Sequence, residues 1–479
     1  MMSRKAKKPF RYIQLVAEIE QKITNGTYQP GEKLPSIRKL HEQSNLSVST
    51  VYHAYMELES LGLIESRYKS GYYVKPVVLR TMQAPASIRS VSPPREVRMS
   101  SMINSVVSAI NDPRLVPLGM TVTDTALLPF KPFSRILKSL SQKDVRSMLT
   151  YSLSEGHPEL RRQLAFRMLG VVRGISPEDI IITNGCMEAV ALSLLALTHP
   201  GETVAIETPT NFSFLQLIKE LGLMVAEVPT DPKTGVIIDK LEEMITRTKI
   251  AVCLFMTNFH NPLGALMPDA HKEQLVRLLE KHEIPVIEDD ISAEIHFGEK
   301  RPVPLKALDR KGLITTCSSF SKTLAPGLRV GWVIPGKRCK KKVQNLKAGI
   351  SVSTSTLDQY LIARFLDGGA YERHLRLLIK SIRRQMVQTA LSIHRHFPRD
   401  IRLALPRGGS LLWVELPSHI DGLKVYQQAL TQGISIIPGE VCSNSGYFKN
   451  FIQISCGIPF TSTVENAIET LGTLICKMT

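Results

Sequence analysis

From about residue 113 onward, short apolar runs alternate with segments of helical length, and this pattern restricts the fold more than any other feature of the chain. Continuous apolar strands that alternate with helices are typical of a mostly parallel sheet covered on both faces. The runs concerned are TVAIE, IAVCLF, IPVIEDD, LITTCSSF and RVGWVI. After about residue 400, the segments IRLALP, SLLWVELP, ISIIPG and FIQISCG indicate a smaller α+β region. The predicted fold class of this part is α/β.

The length of the chain indicates more than one hydrophobic core, since 479 residues with 43% hydrophobic side chains exceed a usual single domain. We predict a head domain over residues 10–75, a linker over 76–112 and a body over 113–479. The linker contains Pro76, Pro85, Pro93, Pro94 and many serines, so it is expected to be extended and mobile.

Charge and cysteine content limit the partners and the compartment. The net charge of +17 favours a polyanionic partner. The seven cysteines form no CxxC pair, so the sequence predicts neither a zinc site nor a redox motif. Their odd number, without an apolar secretory segment, fits a reducing cytosol, and no run of 18 apolar residues predicts a membrane span. We therefore expect a cytoplasmic protein with no membrane association.

The head has the sequence pattern of three helices and a hairpin. A first helix over 12–24 is indicated by apolar residues on one face, namely Tyr12, Val16, Ile19 and Ile23. Gly26 is predicted to be its C-cap, and the hydroxyl groups of Ser36 and Ser47 are predicted to cap a second and a third helix. The predicted buried face of the third helix is Val51, Ala54, Tyr55, Leu58 and Leu61.

The exposed end of that third helix carries short polar and imidazole groups that suit a DNA major groove. They are Ser49, Thr50, Tyr52 and His53. The following stretch LIESRYKSGYYVK predicts two short strands with Gly71 near the turn, which form a wing. Arg67 and Lys69 are expected to contact phosphate there.

The stretch GEKLPSIRKLHEQSNLSVSTVYHAYMELESLGLIESRYKSGYYV closely resembles the GntR-type winged helix. The resemblance implies that double-stranded DNA is contacted by Arg38, by Ser47 to His53 and by Lys69 to Gly71. Many relatives place Arg in the middle of the third helix, where this chain has Tyr52 and His53, so the operator sequence is not predicted. The candidate DNA-binding residues are Ser36, Arg38, Ser47, Ser49, Thr50, Tyr52, His53, Arg67, Lys69 and Gly71.

In the body, the motif SSFSKTLAPGLRVGW offers a lysine amine beside phosphate-binding groups. Lys322 is the candidate Schiff-base lysine for pyridoxal 5'-phosphate (PLP), and Ser319, Ser321 and Arg329 are candidates for holding its phosphate. In IPVIEDD, Asp289 ends a buried strand, where a carboxylate can pair with a pyridinium nitrogen. The same position also suits a helix N-cap.

Three further motifs supply the remaining candidates for cofactor contact. Asn261 in NFHNPLG offers an amide donor to the ring hydroxyl, although Asn-Pro is also an ordinary turn. TNGCMEAVALSLLAL predicts a strand, a turn and a helix, whose first N–H groups would face the phosphate. The residues concerned are Gly185, Cys186 and Met187. Tyr151 is a candidate for reaching the phosphate from a neighbouring subunit.

Together these motifs make residues from about 113 to 479 resemble a fold-type I, class I/II aminotransferase. Joined to a GntR-type head, the chain resembles the MocR subfamily of GntR regulators. That resemblance implies a body that binds PLP or its adducts and a head-to-tail homodimer.

Three positions depart from the family pattern, and all three concern catalysis. Where the family stacks an aromatic ring on the cofactor, this chain has Asn211, and the adjacent Phe212 is expected to point elsewhere. Ser292 replaces a tyrosine that bonds the ring hydroxyl. Gln453 replaces the arginine that binds a substrate α-carboxylate, and a glutamine offers no charge and no bidentate fork. We therefore expect PLP binding with weak or no transaminase activity.

Three functional hypotheses follow. The first is a transcription regulator that senses PLP, or PLP joined to a small amine or amino acid, and changes its DNA binding. The second is a working aminotransferase with a DNA-binding head, which Lys322 favours and Gln453 opposes. The third is a dimeric DNA-binding regulator whose body holds no cofactor.

Overall fold

The computed structural model describes residues 11–24, 27–29, 31–61, 63–67, 70–75, 83–88, 90–97, 102–120 and 123–478. Its head consists of three helices followed by a two-stranded antiparallel hairpin. The elements are α1 (Arg11–Thr24), α2 (Ile37–Ser44), α3 (Val48–Ser60), β1 (Ile64–Arg67) and β2 (Gly71–Val74). The predicted C-cap Gly26 lies outside the described residues.

Local sequence determines where the head helices begin. The Ser36 and Ser47 hydroxyl groups accept hydrogen bonds from the backbone N–H groups of Lys39 and Thr50, which confirms both predicted caps. The predicted inner face of α3 is buried throughout: Val51, Ala54, Tyr55, Leu58 and Leu61. Gly71 has φ +111° at the start of β2, a conformation that side chains rarely adopt. The head is a winged helix-turn-helix.

The stretch after the head is more ordered than the sequence predicted. Its described part contains β3 (Arg95–Glu96) and α4 (Met102–Ile110), and β4 (Val116–Pro117) follows. Ile103, Val106 and Ala109, three residues apart on one face of α4, are buried in the body. The prediction that all of residues 76–112 are extended and mobile was therefore wrong, because the prolines and serines obscured a helical period. Residues 76–82 lie outside the described part.

The body is an α/β domain around one large sheet. Its helices up to residue 396 are α5 (Phe130–Lys138), α6 (Gln142–Met148), α7 (Pro158–Met168), α8 (Cys186–Leu197), α9 (Phe212–Glu220), α10 (Ile238–Arg247), α11 (Asp269–Lys281), α12 (Lys340–Ile350), α13 (Thr356–Leu366) and α14 (Ala370–His396). Its strands are β5 (Ile181–Thr183), β6 (Thr203–Thr208), β7 (Met224–Asp231), β8 (Gly235–Val236), β9 (Val252–Phe255), β10 (Val286–Asp289), β11 (Ile314–Ser319) and β12 (Gly331–Ile334).

The sheet has the order β3-β7-β6-β9-β10-β11-β12-β5, with β8 paired to β7. The pairs from β7 through β11 are parallel, whereas β12 runs antiparallel to both of its neighbours. Apolar clusters cover both faces of these strands. The predicted mostly parallel α/β sheet is confirmed.

A smaller α+β region follows, as predicted. Its elements are β13 (Arg402–Leu403), β14 (Leu411–Glu415), α15 (Gly422–Thr431), β15 (Ile434–Ser435), β16 (Ile437–Pro438), β17 (Phe451–Ser455) and α16 (Ser462–Cys476). Its sheet has the order β13-β14-β17-β16, and α14 packs against it with α16. Cys476 is exposed, whereas the other cysteines are buried. Within the described ranges, no helix has the length and apolar character needed to cross a membrane.

Candidate functional site

The carboxyl ends of β10 and β11 meet at one edge of the sheet, and the candidate site lies there. Asp289 ends β10, Ser319 ends the parallel neighbour β11, and Lys322 follows it. Ligands of open α/β sheets bind at this edge. A cavity of about 180 Å³ opens at the site. It is lined by Cys186, Met187, Asn211, Phe212, Ser213, Met256, Asn261, Asp289, Ile291, Ser319, Ser321, Lys322 and Arg329.

The amine of Lys322 is buried at this cavity. Only 8% of the residue is exposed, and its Nζ donates a hydrogen bond to the Ser292 hydroxyl at 3.4 Å. Burial lowers the pKa of Lys322, although Asp289 and Cys186 act in the opposite direction. A lowered pKa increases the fraction of neutral amine, which is the form that attacks an aldehyde.

The carboxylate of Asp289 faces the same space. Burial raises its pKa to about 6, whereas hydrogen bonds from the Ile291 N–H at 3.0 Å and the Cys186 thiol at 3.4 Å favour the charged form. Desolvation of this kind is relieved by a cation placed against the carboxylate. A protonated pyridine nitrogen is such a cation, so Asp289 fits the role that its strand-end position predicted.

Backbone and guanidinium donors converge on the other side of the cavity. Helix α8 begins at Cys186, so its first N–H groups have no partner within the helix and suit a phosphate. Arg329 donates to the Ser321 hydroxyl at 3.5 Å and to the Asn184 carbonyl at 3.1 Å, which holds its guanidinium beside that helix end. Gly185 precedes α8 with φ +85°. The donor set fits a phosphate ester.

Close packing between two segments keeps these donors in position. A Cβ atom at Gly331 would lie 2.5 Å from the Gly185 carbonyl carbon and 2.9 Å from the Cys186 nitrogen. Strand β12 therefore approaches the start of α8 more closely than any side chain permits. With the buried amine and the carboxylate, this arrangement fits an aldehyde cofactor that carries a pyridine ring and a phosphate.

The three departures from the family pattern have different structural consequences. The Asn211 side chain caps α9 by accepting a hydrogen bond from the Ser213 N–H at 3.1 Å. Phe212 lines the cavity, so the expectation that it points elsewhere was wrong; it also packs against the core of the small region. Gln453 lies on β17 with 2% exposure, and its Nε2 has no hydrogen-bond partner among the described residues.

The sequence analysis missed part of the lining and a contact behind it. Met256 and Ile291 follow β9 and β10 directly, so their positions after buried strands were the available indication. Behind the cavity, two side chains of α14 contact Thr323, the residue after Lys322. The Tyr371 hydroxyl donates to Thr323 Oγ1 at 2.9 Å, and His374 Nε2 lies 2.8 Å from the Thr323 carbonyl oxygen.

One predicted cofactor residue is not brought to this cavity. Tyr151 is 86% exposed and is absent from the lining of its own chain. It lies among other exposed apolar side chains, namely Phe130, Leu149, Leu153, Ile350 and Val352. A contribution from a second subunit stays a prediction.

In the head, the candidate DNA-binding groups lie at the surface. On α3, Ser49, Tyr52 and His53 are exposed and Thr50 is partly buried; Arg38 on α2 is exposed. Further exposed candidates are Ser36, Ser47 and Gly71. Arg67 at the end of β1 pairs with Glu65 at 2.9 Å and lies over the Tyr73 ring. Lys69 lies outside the described residues.

The head contacts α14 of the body through two ion pairs. Glu57 on α3 pairs with Lys380, and Glu20 on α1 pairs with Arg383. Both basic residues are on the helix that also reaches Thr323. One rigid element therefore touches the head and the residue next to Lys322.

Comparison with known proteins assigns the two parts of the chain to families. Residues 11–74 match the family of bacterial regulatory proteins of the gntR type, and residues 123–471 match aminotransferase class I and II. The HTH-type transcriptional regulator YjiR of Escherichia coli (strain K12) is 35% identical over 98% of this chain and 99% of its own length. YdcR, an HTH-type transcriptional regulator of the same organism, is 35% identical over 97% of this chain and 99% of its length.

Solved structures support the same fold for the body. The α-aminoadipate aminotransferase LysN from Thermus thermophilus, complexed with N-(5'-phosphopyridoxyl)-L-leucine, has a TM-score of 0.73 and 25% identity. The alignment covers 79% of this chain and 95% of LysN. The chain therefore belongs to the MocR-type subfamily of GntR transcriptional regulators, in which a winged helix-turn-helix head is joined to a PLP-dependent class I/II aminotransferase domain.

Proposed function

We propose that the protein binds double-stranded DNA through its head and changes this binding when its body takes up PLP together with a small amine or amino acid. The observation that carries the proposal is the position of α14. Through Tyr371 it contacts the residue after Lys322, and through Lys380 and Arg383 it contacts the head. A ligand that favours one arrangement of this helix would change the position of the head.

In the head, we propose that α3 reads the major groove. Ser49, Tyr52 and His53 are exposed at its N-terminal end, and short polar groups at this place suit base edges and phosphates. Arg38 and the wing residues Arg67, Lys69 and Gly71 would hold the backbone. A DNA-binding protein of a bacterial regulator family is expected to act in the cytoplasm.

In the body, we propose that the cavity residues hold PLP and keep its aldehyde ready for an amine. Bound PLP supplies an electrophilic carbon and an electron-withdrawing ring. The amine of Lys322 forms the covalent attachment, and Asp289 pairs with the pyridine nitrogen. Ser319, Ser321, Arg329 and the N–H groups at the start of α8 bind the phosphate. Asn261 lines the cavity and offers a donor to the ring hydroxyl.

The same residues indicate a sensor more than an enzyme. An amine from outside competes with Lys322 for the aldehyde, and the released Lys322 amine remains next to Ser292 and Asp289. Gln453 brings no positive charge to balance an α-carboxylate. Effective turnover of common amino acids is therefore not expected. A working aminotransferase is the second candidate, and the intact pairing of Lys322 with Asp289 is the observation that favours it.

We also propose a homodimer that forms through the exposed apolar side chains around Tyr151. Phe130, Leu149 and Leu153 are each more than half exposed in the single chain, which is unusual for clustered large apolar residues. A partner covering this face would bring its own Tyr151 near the phosphate donors. Light scattering of wild type and Leu149→Glu tests this, and a wild type that is monomeric at micromolar concentration contradicts it.

The central experiment combines spectroscopy with DNA binding. Wild type and Lys322→Ala are loaded with PLP, and we expect a borohydride-sensitive long-wavelength absorption band in the wild type only. DNA binding is then measured by fluorescence anisotropy without PLP, with PLP, and with PLP plus a panel of amines. We expect a shift in affinity or footprint that Lys322→Ala lacks. Identical DNA binding in all conditions contradicts the sensor, and rapid transamination of a standard amino acid supports the second candidate instead.

A further inference from the structure

The exposed face of α14 carries a row of basic side chains. Arg373, Arg376, Lys380 and Arg384 follow each other at intervals of three, four and four residues, which places them on one side of the helix. All four are exposed. From the first to the last, the row is about 17 Å long at a rise of 1.5 Å per residue.

Most of this charge is unopposed. Among the residues that the structure describes, no carboxylate forms an ion pair with Arg373, Arg376 or Arg384; only Lys380 has such a partner, in Glu57. Beside the first half of the row lies a groove of about 530 Å³. Its lining includes Arg373 and Leu377 and contains no Asp or Glu. Like charges this close repel each other, so the row suits a partner with regularly spaced negative charges.

The row also lies next to the DNA-reading helix. Glu57, the partner of Lys380, is one turn after His53 on α3. Tyr52 and His53 nevertheless remain exposed, with Tyr52 at 45%. Helix α14 therefore flanks the recognition surface without covering it, and duplex that extends past α3 would meet the basic row.

We propose that α14 is a second DNA-binding surface, on which Arg373, Arg376 and Arg384 contact phosphates of the duplex that flanks the site read by the head. This inference rests on the proposed DNA binding by the winged helix. A row of about 17 Å matches about five nucleotides of one strand, which are 3.4 Å apart along the axis. Guanidinium groups bind phosphate through two parallel hydrogen bonds, so arginines suit this role.

The inference predicts a dependence on duplex length and on salt. A binding site is first selected from random duplexes with the wild-type protein. Two probes are then made, one limited to the footprint of the head and one extended on both sides. We expect the wild type to bind the extended probe more tightly. Arg373→Gln/Arg376→Gln/Arg384→Gln removes this preference and lowers the slope of log K against log salt by about 2 to 3, at about 0.9 per phosphate contact.

A matched variant separates local contacts from total charge. Lys337→Gln/Lys341→Gln/Lys342→Gln also removes three exposed positive charges, on and just before α12, and none of these lysines has an ion pair among the described residues. We expect it to keep the preference for the extended probe. Unchanged binding of the short probe by both variants shows that the head is folded.

Three results would overturn the inference. The arginine variant would keep the wild-type length preference and salt slope, or the lysine variant would lose as much as the arginine variant. In both cases selective binding of the short probe by the wild type leaves the proposed function intact. If the wild type selects no duplex at all, the proposed function fails and the inference fails with it.

Discussion

Replacing Gly331 by alanine tests whether close backbone packing determines the affinity for PLP. The added Cβ would lie 2.5 Å from the Gly185 carbonyl carbon, 2.8 Å from the Ser318 oxygen and 2.9 Å from the Cys186 nitrogen. All three are backbone atoms, and ordinary contacts begin at 3.4 Å, so the start of α8 must move by about 0.9 Å. Overpacking of this kind costs about 1–3 kcal/mol.

The displaced atoms include the N–H groups proposed to bind phosphate, so the cost should appear in cofactor affinity as well as in stability. A loss of about 1–3 kcal/mol corresponds to a roughly 5- to 150-fold higher Kd for PLP. Titration followed by absorption and by tryptophan fluorescence measures the Kd, because Trp332 is adjacent to the substitution. Thermal unfolding measures the effect on stability.

Gly327→Ala provides the matched control. Gly327 belongs to the same motif, but an added Cβ meets no atom within 4 Å, so we expect unchanged affinity and stability. If Gly331→Ala binds PLP with the wild-type Kd and unfolds at the wild-type temperature, then packing of β12 on α8 does not position the phosphate donors. If the control is impaired to the same degree, flexibility of the motif matters more than the close approach.

Three further predictions follow from the site and its connections. Because burial raises the pKa of Asp289 to about 6, the folded protein without PLP retains a proton that the unfolded chain has released, and its stability falls as pH rises from about 4 to about 6; in urea unfolding, Asp289→Asn should lack this component. Tyr371→Phe removes the hydrogen bond to Thr323 and should lower stability by about 1 kcal/mol and weaken the effect of PLP on DNA binding; an unchanged PLP effect in anisotropy would contradict coupling through α14. Lys380→Glu and Glu57→Lys should each release the head to proteolysis, and the double variant should restore about 0.5–1 kcal/mol; additive effects would deny the contact.

The sequence predicted those features that depend on local patterns. Ser36 and Ser47 cap helices through their own next turn, and the apolar runs become strands because their neighbours in sequence already specify period and length. Asp289 and Ser319 could be placed at the site because the ends of parallel strands meet at one edge. These features need no knowledge of distant contacts.

Features that depend on tertiary contacts were missed. The contact between Tyr371 and Thr323 joins residues 48 apart, and nothing in either local pattern indicates it. The orientation of Phe212 depends on a loop packed between two parts of the body. In the predicted linker, α4 has a clear apolar period, but its burial comes from the small region that the chain forms more than three hundred residues later.

The distribution of cysteines makes a direct view of head movement practicable. Only Cys476, in the last turn of α16, presents its sulfur to solvent, whereas the other thiols are enclosed. A maleimide dye should therefore attach to the native wild-type chain at this one place, on an element packed against α14. With a second dye introduced on the head, energy transfer would follow the distance between the head and α16 while amines are added, without removal of any native cysteine.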